Sequence, residues 1–173
     1  MTNFVVIDLE SHRSILVDLN EEFFTYVYKE VSKNFNIDVL PTNDISYREF
    51  ANIIVDEFAF FTPPEGISYL LYLDEEVVGM GALRNMNKDI GEITRMYIRP
   101  DYRGKGLGKK ILKQLLKKGK EFGFSTIYLN TAPFMESARQ MYHSFGFIER
   151  EEYSGSELPE MIKPFWLFME KEL

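Results

Sequence analysis

Between Ile98 and Leu107 the chain runs Arg99, Pro100, Asp101, Tyr102, Arg103, Gly104, Lys105, Gly106, and a further glycine follows at Gly108. Glycines at alternate positions let the backbone turn so that several N–H groups share one concavity free of Cβ atoms. If a helix opens near Leu107, its unsatisfied first-turn amides and partial positive end add to that concavity, which then suits a diphosphate. Two other phosphate patterns fail on spacing. GxxxxGK[ST] finds no Gly, Lys and Ser or Thr in register, and in GxGxxG the position of the last glycine holds Lys109. The pattern that fits is [Q/R]xxGx[G/A], met by Arg103, Gly106 and Gly108.

Such a turn needs a strand before it and a helix after it, and the periodicity supplies both. Glu92 to Ile98 is β-prone, and the helix that follows carries Ile111, Leu112, Leu115, Leu116 and Phe122 on one face, with Lys109, Lys110, Lys113 and Lys117 opposite. Upstream, Val5 to Ile7 predicts a strand. Ser14 to Val31 predicts a helix with Leu16, Leu19, Phe23, Tyr26 and Val27 in one stripe. Ser46 and Glu49 fit a capping box for a second helix bearing Tyr47, Phe50, Ile54 and Phe58, which Pro63 and Pro64 would stop. Ser68 to Leu73 and Val77 to Leu83, joined by Asp74, Glu75 and Glu76, predict a hairpin, and the strand from Glu92 extends it to an antiparallel meander. Thr126 to Leu129 after the glycine-led helix predicts a parallel crossover. A short helix follows with Ala138, Met141, Tyr142 and Phe145 on one face and Gly146 ending it, then strands at Phe147 to Tyr153 and Phe165 to Met169. The fold class is α/β (α+β): one domain over residues 1–173, with a central mixed, mostly antiparallel, twisted sheet of about seven strands flanked by about four helices.

The strand with Arg99 and Pro100, the turn, and the later run Ala138, Met141, Tyr142, Gly146, Phe147 agree in order and spacing over roughly Ser68 to Phe147. In these parts the chain resembles the GCN5-related N-acetyltransferase (GNAT) superfamily, the last run looking like its AxxxYxxxGF element. The resemblance implies that acetyl-CoA is the co-substrate, with its pyrophosphate on Arg103, Gly104, Lys105, Gly106, Leu107, Gly108 and Lys109. It further implies a bulge near Met96 that frees a backbone N–H for the thioester oxyanion, worth roughly 3 kcal/mol. Tyr97 and Ile98 would then border the pantetheine arm, Ile98 through its main chain. The amine acceptor, with a pKa near ~10, must lose a proton before it attacks. The resemblance places Glu92 as general base, directly or through water, and Tyr142 as general acid to the departing thiolate. For these the plainer alternatives are a solvated Glu at a strand start and a core aromatic. Met135 stands where many members carry Asn; Asn130 and Thr131 could supply polar contacts instead, or simply end their strand.

Composition limits the alternatives. Twenty Lys and Arg against 27 Asp and Glu give a net charge of -7, which disfavours nucleic acid and anionic membrane and suits a cationic acceptor. The chain has no Cys and two His, so it offers no disulfide, thiolate nucleophile or metal site, and neither His12 nor His143 reads as functional. The first ten residues lack the pattern of a signal peptide and no run is long enough to span a bilayer, so a cytoplasmic protein is expected. The acceptor is a small-molecule or peptide amine, and a homodimer is compatible with the sequence. Glu149, Glu151, Glu152, Glu157 and Glu160 read as a solvated surface before an acceptor-binding one, and Phe58, Phe60 and Phe61 as core. A non-catalytic acyl-CoA sensor is the alternative to an enzyme; a nucleotide- or RNA-binding role for Lys105, Lys109 and Lys110 is weaker on charge.

Overall fold

The computed structural model describes residues 1–39 and 45–173. Its strands are β1 Thr2–Val6, β2 Gly66–Leu73, β3 Glu76–Asn87, β4 Ile90–Ile98, β5 Thr126–Thr131, β6 Ile148–Arg150 and β7 Leu167–Glu172. Its α-helices among the described residues are α1 Leu9–Phe35, α2 Tyr47–Ile54, α3 Leu107–Glu121 and α4 Glu136–Ser144. The strands form one sheet in the order β1-β2-β3-β4-β5-β7-β6. Pairing is antiparallel from β1 to β4 and around β7, and parallel between β4 and β5, which α3 connects. The meander and the crossover expected from the sequence are both present.

Both faces of the sheet are covered, which is why β2 is buried along most of its length with no polar alternation. On one face α3 sets Leu107, Ile111, Leu112 and Leu115 against Tyr69, Leu83, Ile93 and Ile127. The helix lies close enough that a Cβ on Gly81 would meet Ile111 at 2.5 Å. On the other, Leu16, Val17 and Leu19 of α1 and Ala51 of α2 pack on Leu70, Met80, Ala82 and Tyr97. A third apolar cluster, with Phe24, Tyr28, Trp166 and Phe168, closes the C-terminal side of the molecule. No helix among the described residues is long and apolar enough to cross a membrane.

Several boundaries differ from the expectation. The strand at Val5 starts earlier, at Thr2, because it pairs residue for residue with β2 from Thr2↔Leu73 to Val6↔Tyr69. Helix α1 begins at Leu9, not Ser14, since Asp8 caps it by accepting from the Glu10 and Ser11 amides. The Ser46–Glu49 capping box forms as read, but α2 ends at Ile54 and tightens into a 3-10 segment, Val55–Phe60, before the prolines are reached. Of the aromatic band, Phe58 and Phe61 are core, whereas Phe60 is 78% exposed. Strand β6 covers Ile148–Arg150 alone, because its partner β7 starts only at Leu167 and pairs with it over those residues.

Candidate active site

The site opens where β4 and β5 part. They pair only through Ile90↔Thr126, Gly91↔Ile127 and Glu92↔Tyr128, yet β4 continues to Ile98. Past Glu92, then, the β5-facing edge of β4 has no strand beside it among the described residues. On the β3 side the register steps from Met80↔Tyr97 to Ala82↔Thr94, so Arg95 and Met96 together oppose Gly81, and Arg95 takes φ 54. That is the bulge expected around Met96: it bends β4 and turns the strand's open edge toward α4 and β5.

At the far end of this edge lies the glycine turn. Gly104 and Gly106 have φ 75 and 76, and a Cβ built on either would meet no atom within 4 Å, so the concavity is open as well as left-handed. Gly106 caps α3 without a side-chain bond, and among the described residues the N–H groups from Gly104 to Lys109 have no protein acceptor. These adjacent free donors at a helix N-terminus are the kind of group an anion accepts from. Lys105 and Lys109 are exposed beside it, and Leu107 is anchored in the core. Arg103 departs from the expectation. Its Nε donates to the Ile98 carbonyl at 2.9 Å, its N–H is spent on Pro100, and its guanidinium lies over the Tyr26 and Tyr97 rings at 5.3 and 5.6 Å. As placed, its side chain fastens the turn to β4 and α1. The Tyr97 side chain also points to α1, where its hydroxyl meets Glu22.

Near the bulge, a cavity of about 350 Å³ is lined by Glu92, Met96, Asn130, Met135 and Tyr142 and walled by Phe24, Tyr28, Phe50, Ile162 and Trp166. Tyr142 projects from α4 into it. The tyrosine packs edge-on against Phe147, its hydroxyl has Met96 Sδ at 4.0 Å as its hydrogen-bond partner, and burial pushes its pKa up to about 12. The ring is core, as the plainer alternative had it, and the same residue also lines the cavity. Glu92 is not the solvated residue of the plainer alternative. It is 2% exposed, and Oε2 accepts from Arg84 at 2.5 Å while Oε1 accepts from the Tyr153 hydroxyl at 2.6 Å and Asn130 at 3.4 Å. Burial raises its pKa, and Arg84 and Tyr153 oppose that rise without cancelling it. Asn130 is thus occupied with Glu92 and Tyr153, away from the glycine turn.

Sequence reasoning missed Arg84, Arg95, Tyr153, Glu57 and Glu157, which tie Glu92 into a charged network. Arg84 stands directly across from Glu92 in the β3–β4 ladder, an opposite-charge cross-strand pair that the hairpin register could have revealed. Glu157, read as surface, bridges Arg84 and Arg95. Nothing local in the sequence marks Arg95 for a left-handed backbone.

A model of the Acetyltransferase (GNAT) family matches residues 21–147, from α1 through the turn, Glu92, Met96 and Tyr142. The chain is 30% identical over 124 residues to the N-acetyltransferase YjgM of Escherichia coli (strain K12), covering 70% of this chain and 72% of that one. To an N-acetyltransferase of Schizosaccharomyces pombe it is 26% identical over 122 residues, 69% of this chain and 74% of the other. Among solved structures it shares its fold with the PaiA N-acetyltransferase of Thermoplasma acidophilum in complex with coenzyme A: TM-score 0.71, 18% identity, 100% of this chain and 99% of that one. The match spans the splayed strands, the bulge, the glycine turn and the tyrosine-bearing helix in one stretch, and on it the chain belongs to the GNAT family of acetyltransferases.

Proposed function

We propose that this protein transfers an acetyl group from acetyl-CoA to a primary amine bound beside Glu92. The observation that carries the reading is the row of unpaired amides from Gly104 to Lys109 at the end of an unpaired strand edge, which opens onto the cavity holding Glu92 and Tyr142. The open concavity at Gly104 and Gly106 fits the diphosphate of the co-substrate. The pantetheine arm fits the edge of β4 past Glu92, bonding the main-chain N–H of Ile98 as an added strand would, with Tyr97 bordering it. Acetyl-CoA supplies the activated acyl group as a thioester.

The remaining work falls to residues of the chain. The Met96 amide, freed by the bulge, stabilises negative charge on the acyl oxygen. Glu92, whose raised pKa makes it a stronger base than an ordinary carboxylate, takes the ammonium proton directly or through water. Tyr142 stays protonated at neutral pH because its pKa is about 12, so its hydroxyl is a donor toward the leaving sulfur. The apolar walls keep bulk water from the reacting atoms. Calorimetry with coenzyme A and thiol release from acetyl-CoA across an amine panel test the proposal. Micromolar binding with acceptor-dependent thiol release is expected. Binding with no release from any amine would instead favour a silent acyl-CoA sensor.

A further inference from the structure

Beside Glu92, the cavity lining includes Glu157 and Arg95, and the Glu157 carboxylate lies between Arg95 and Arg84, which stands behind the lining. Glu157 Oε1 lies 2.8 Å from Nη1 of Arg84, and Oε2 lies 3.3 Å from Nη2 of Arg95. Both arginines are built into the sheet, on adjoining strands β3 and β4. Glu157 comes from the irregular segment between β6 and β7, and its side chain is 37% exposed against 10% for Arg95. The cations are therefore fixed and the anion between them is on a loop.

Arg95 is held there at a cost. Its backbone occupies a region disfavoured for any residue with a side chain, its Nε is buried without an acceptor, and its guanidinium lies 5.5 Å from the Phe24 ring centroid. Its other partner, Glu57, is 40% exposed. Both glutamates are more than a third exposed, so either can return to water when another carboxylate takes its place on Arg95. A carboxylate entering the cavity gains much, because there the pair is charge-assisted and shielded from water. Arg84 donates to Glu92 on one side and to Glu157 on the other, linking two residues of the cavity lining. Glu92 and Glu157 are thus held on two sides of one guanidinium, which brings the base and the carboxylate position into the same corner of the site. Facing them, Phe24, Tyr28, Phe50 and Trp166 offer apolar wall to a side chain.

We propose, resting on the transferase reading above, that the acceptor is a small amino acid with an apolar or aromatic side chain. Its carboxylate displaces Glu157 from Arg95, and its amine lies toward Glu92. Charge balances through the exchange: Arg84 and Arg95 face Glu92 and Glu57 once Glu157 has left, and a zwitterion adds none.

The test is thiol release from acetyl-CoA with amino acids and their decarboxylated counterparts in pairs, such as phenylalanine with 2-phenylethylamine and leucine with 3-methylbutylamine. The amino acid of at least one pair is expected to exceed its partner in kcat/KM by about tenfold or more, the scale of one charge-assisted bond. Arg95→Gln should remove that preference by raising the amino-acid KM, and Arg95→Lys should restore part of it. Glu157→Gln should lower the amino-acid KM relative to that of its decarboxylated partner, because the internal competitor is weakened; a purely structural Glu157 would not shift that ratio. Decarboxylated amines used as well as the amino acids throughout, or an unmoved ratio in Glu157→Gln, overturns the inference and leaves the transferase standing. No release from either member of any pair, in protein that releases thiol with another amine of the panel, overturns the inference alone; no release with any amine, in protein that binds acetyl-CoA, overturns both.

Discussion

Burial and two hydrogen-bond donors pull the carboxyl of Glu92 in opposite directions, and burial dominates, so its pKa lies above 4.5. Two consequences follow from the sign. As a base it must be ionised, so kcat/KM should fall on the acid side through a limb lying above the ordinary carboxylate range. Glu92→Gln should erase that limb and lower kcat/KM by roughly 10²- to 10⁴-fold. In stability the folded state holds this proton more tightly than the unfolded chain does, so its contribution is greatest at acid pH and declines as pH rises from the unfolded pKa through the folded one. Denaturant melts across that window should therefore show Glu92→Gln gaining on the wild type as pH rises. Tyr142 poses a simpler case, since a phenol with a pKa of about 12 does not titrate in the working range. Tyr142→Phe should keep coenzyme A affinity and slow turnover by about 10²-fold or more; turnover equal to wild type in a stopped-assay comparison would take it out of the mechanism.

In the turn between β4 and α3 the glycines are required for conformation before space. A Cβ on Gly106 would touch nothing within 4 Å, but its φ of 76 is strained for any side chain and worst for a branched one. Gly106→Val should cost on the order of 1–2 kcal/mol in stability from that strain. It should also weaken coenzyme A binding by tenfold or more by tilting the amides and filling the concavity, with calorimetry separating the two effects. The sequence motif and the element agree here because a glycine pattern reports φ directly. The bulge in β4 is different. Arg95, not a glycine, takes its left-handed backbone, so no local residue type announces it, and the sequence alone could place a bulge near Met96 only through the family resemblance.

At the scale of the molecule, one sheet separates a face covered by α3 from a face covered by α1 and α2, and the cleft exists because β4 and β5 diverge in the middle of that sheet. Filling the gap with the co-substrate should bind the native state alone, so acetyl-CoA at about a hundred times its Kd should add about 2.7 kcal/mol to unfolding. Hydrogen exchange should slow chiefly over residues 94–98 and 103–109; protection spread evenly over the sheet would place the ligand elsewhere. Of this architecture, the sequence by itself determined the element order, the meander, the crossover and the glycine turn. Each of these is written in hydrophobic period, turn chemistry or φ preference, all local properties. Tertiary structure alone decided the burial of Glu92, the unzipping of β4 from β5, and the joining of Arg84, Arg95, Tyr153 and Glu157 into one network with Glu92. Those outcomes depend on where distant segments meet. Whether a glutamate is solvated or buried against an arginine is set by the neighbours the fold brings to it, and its own stretch of sequence does not encode them.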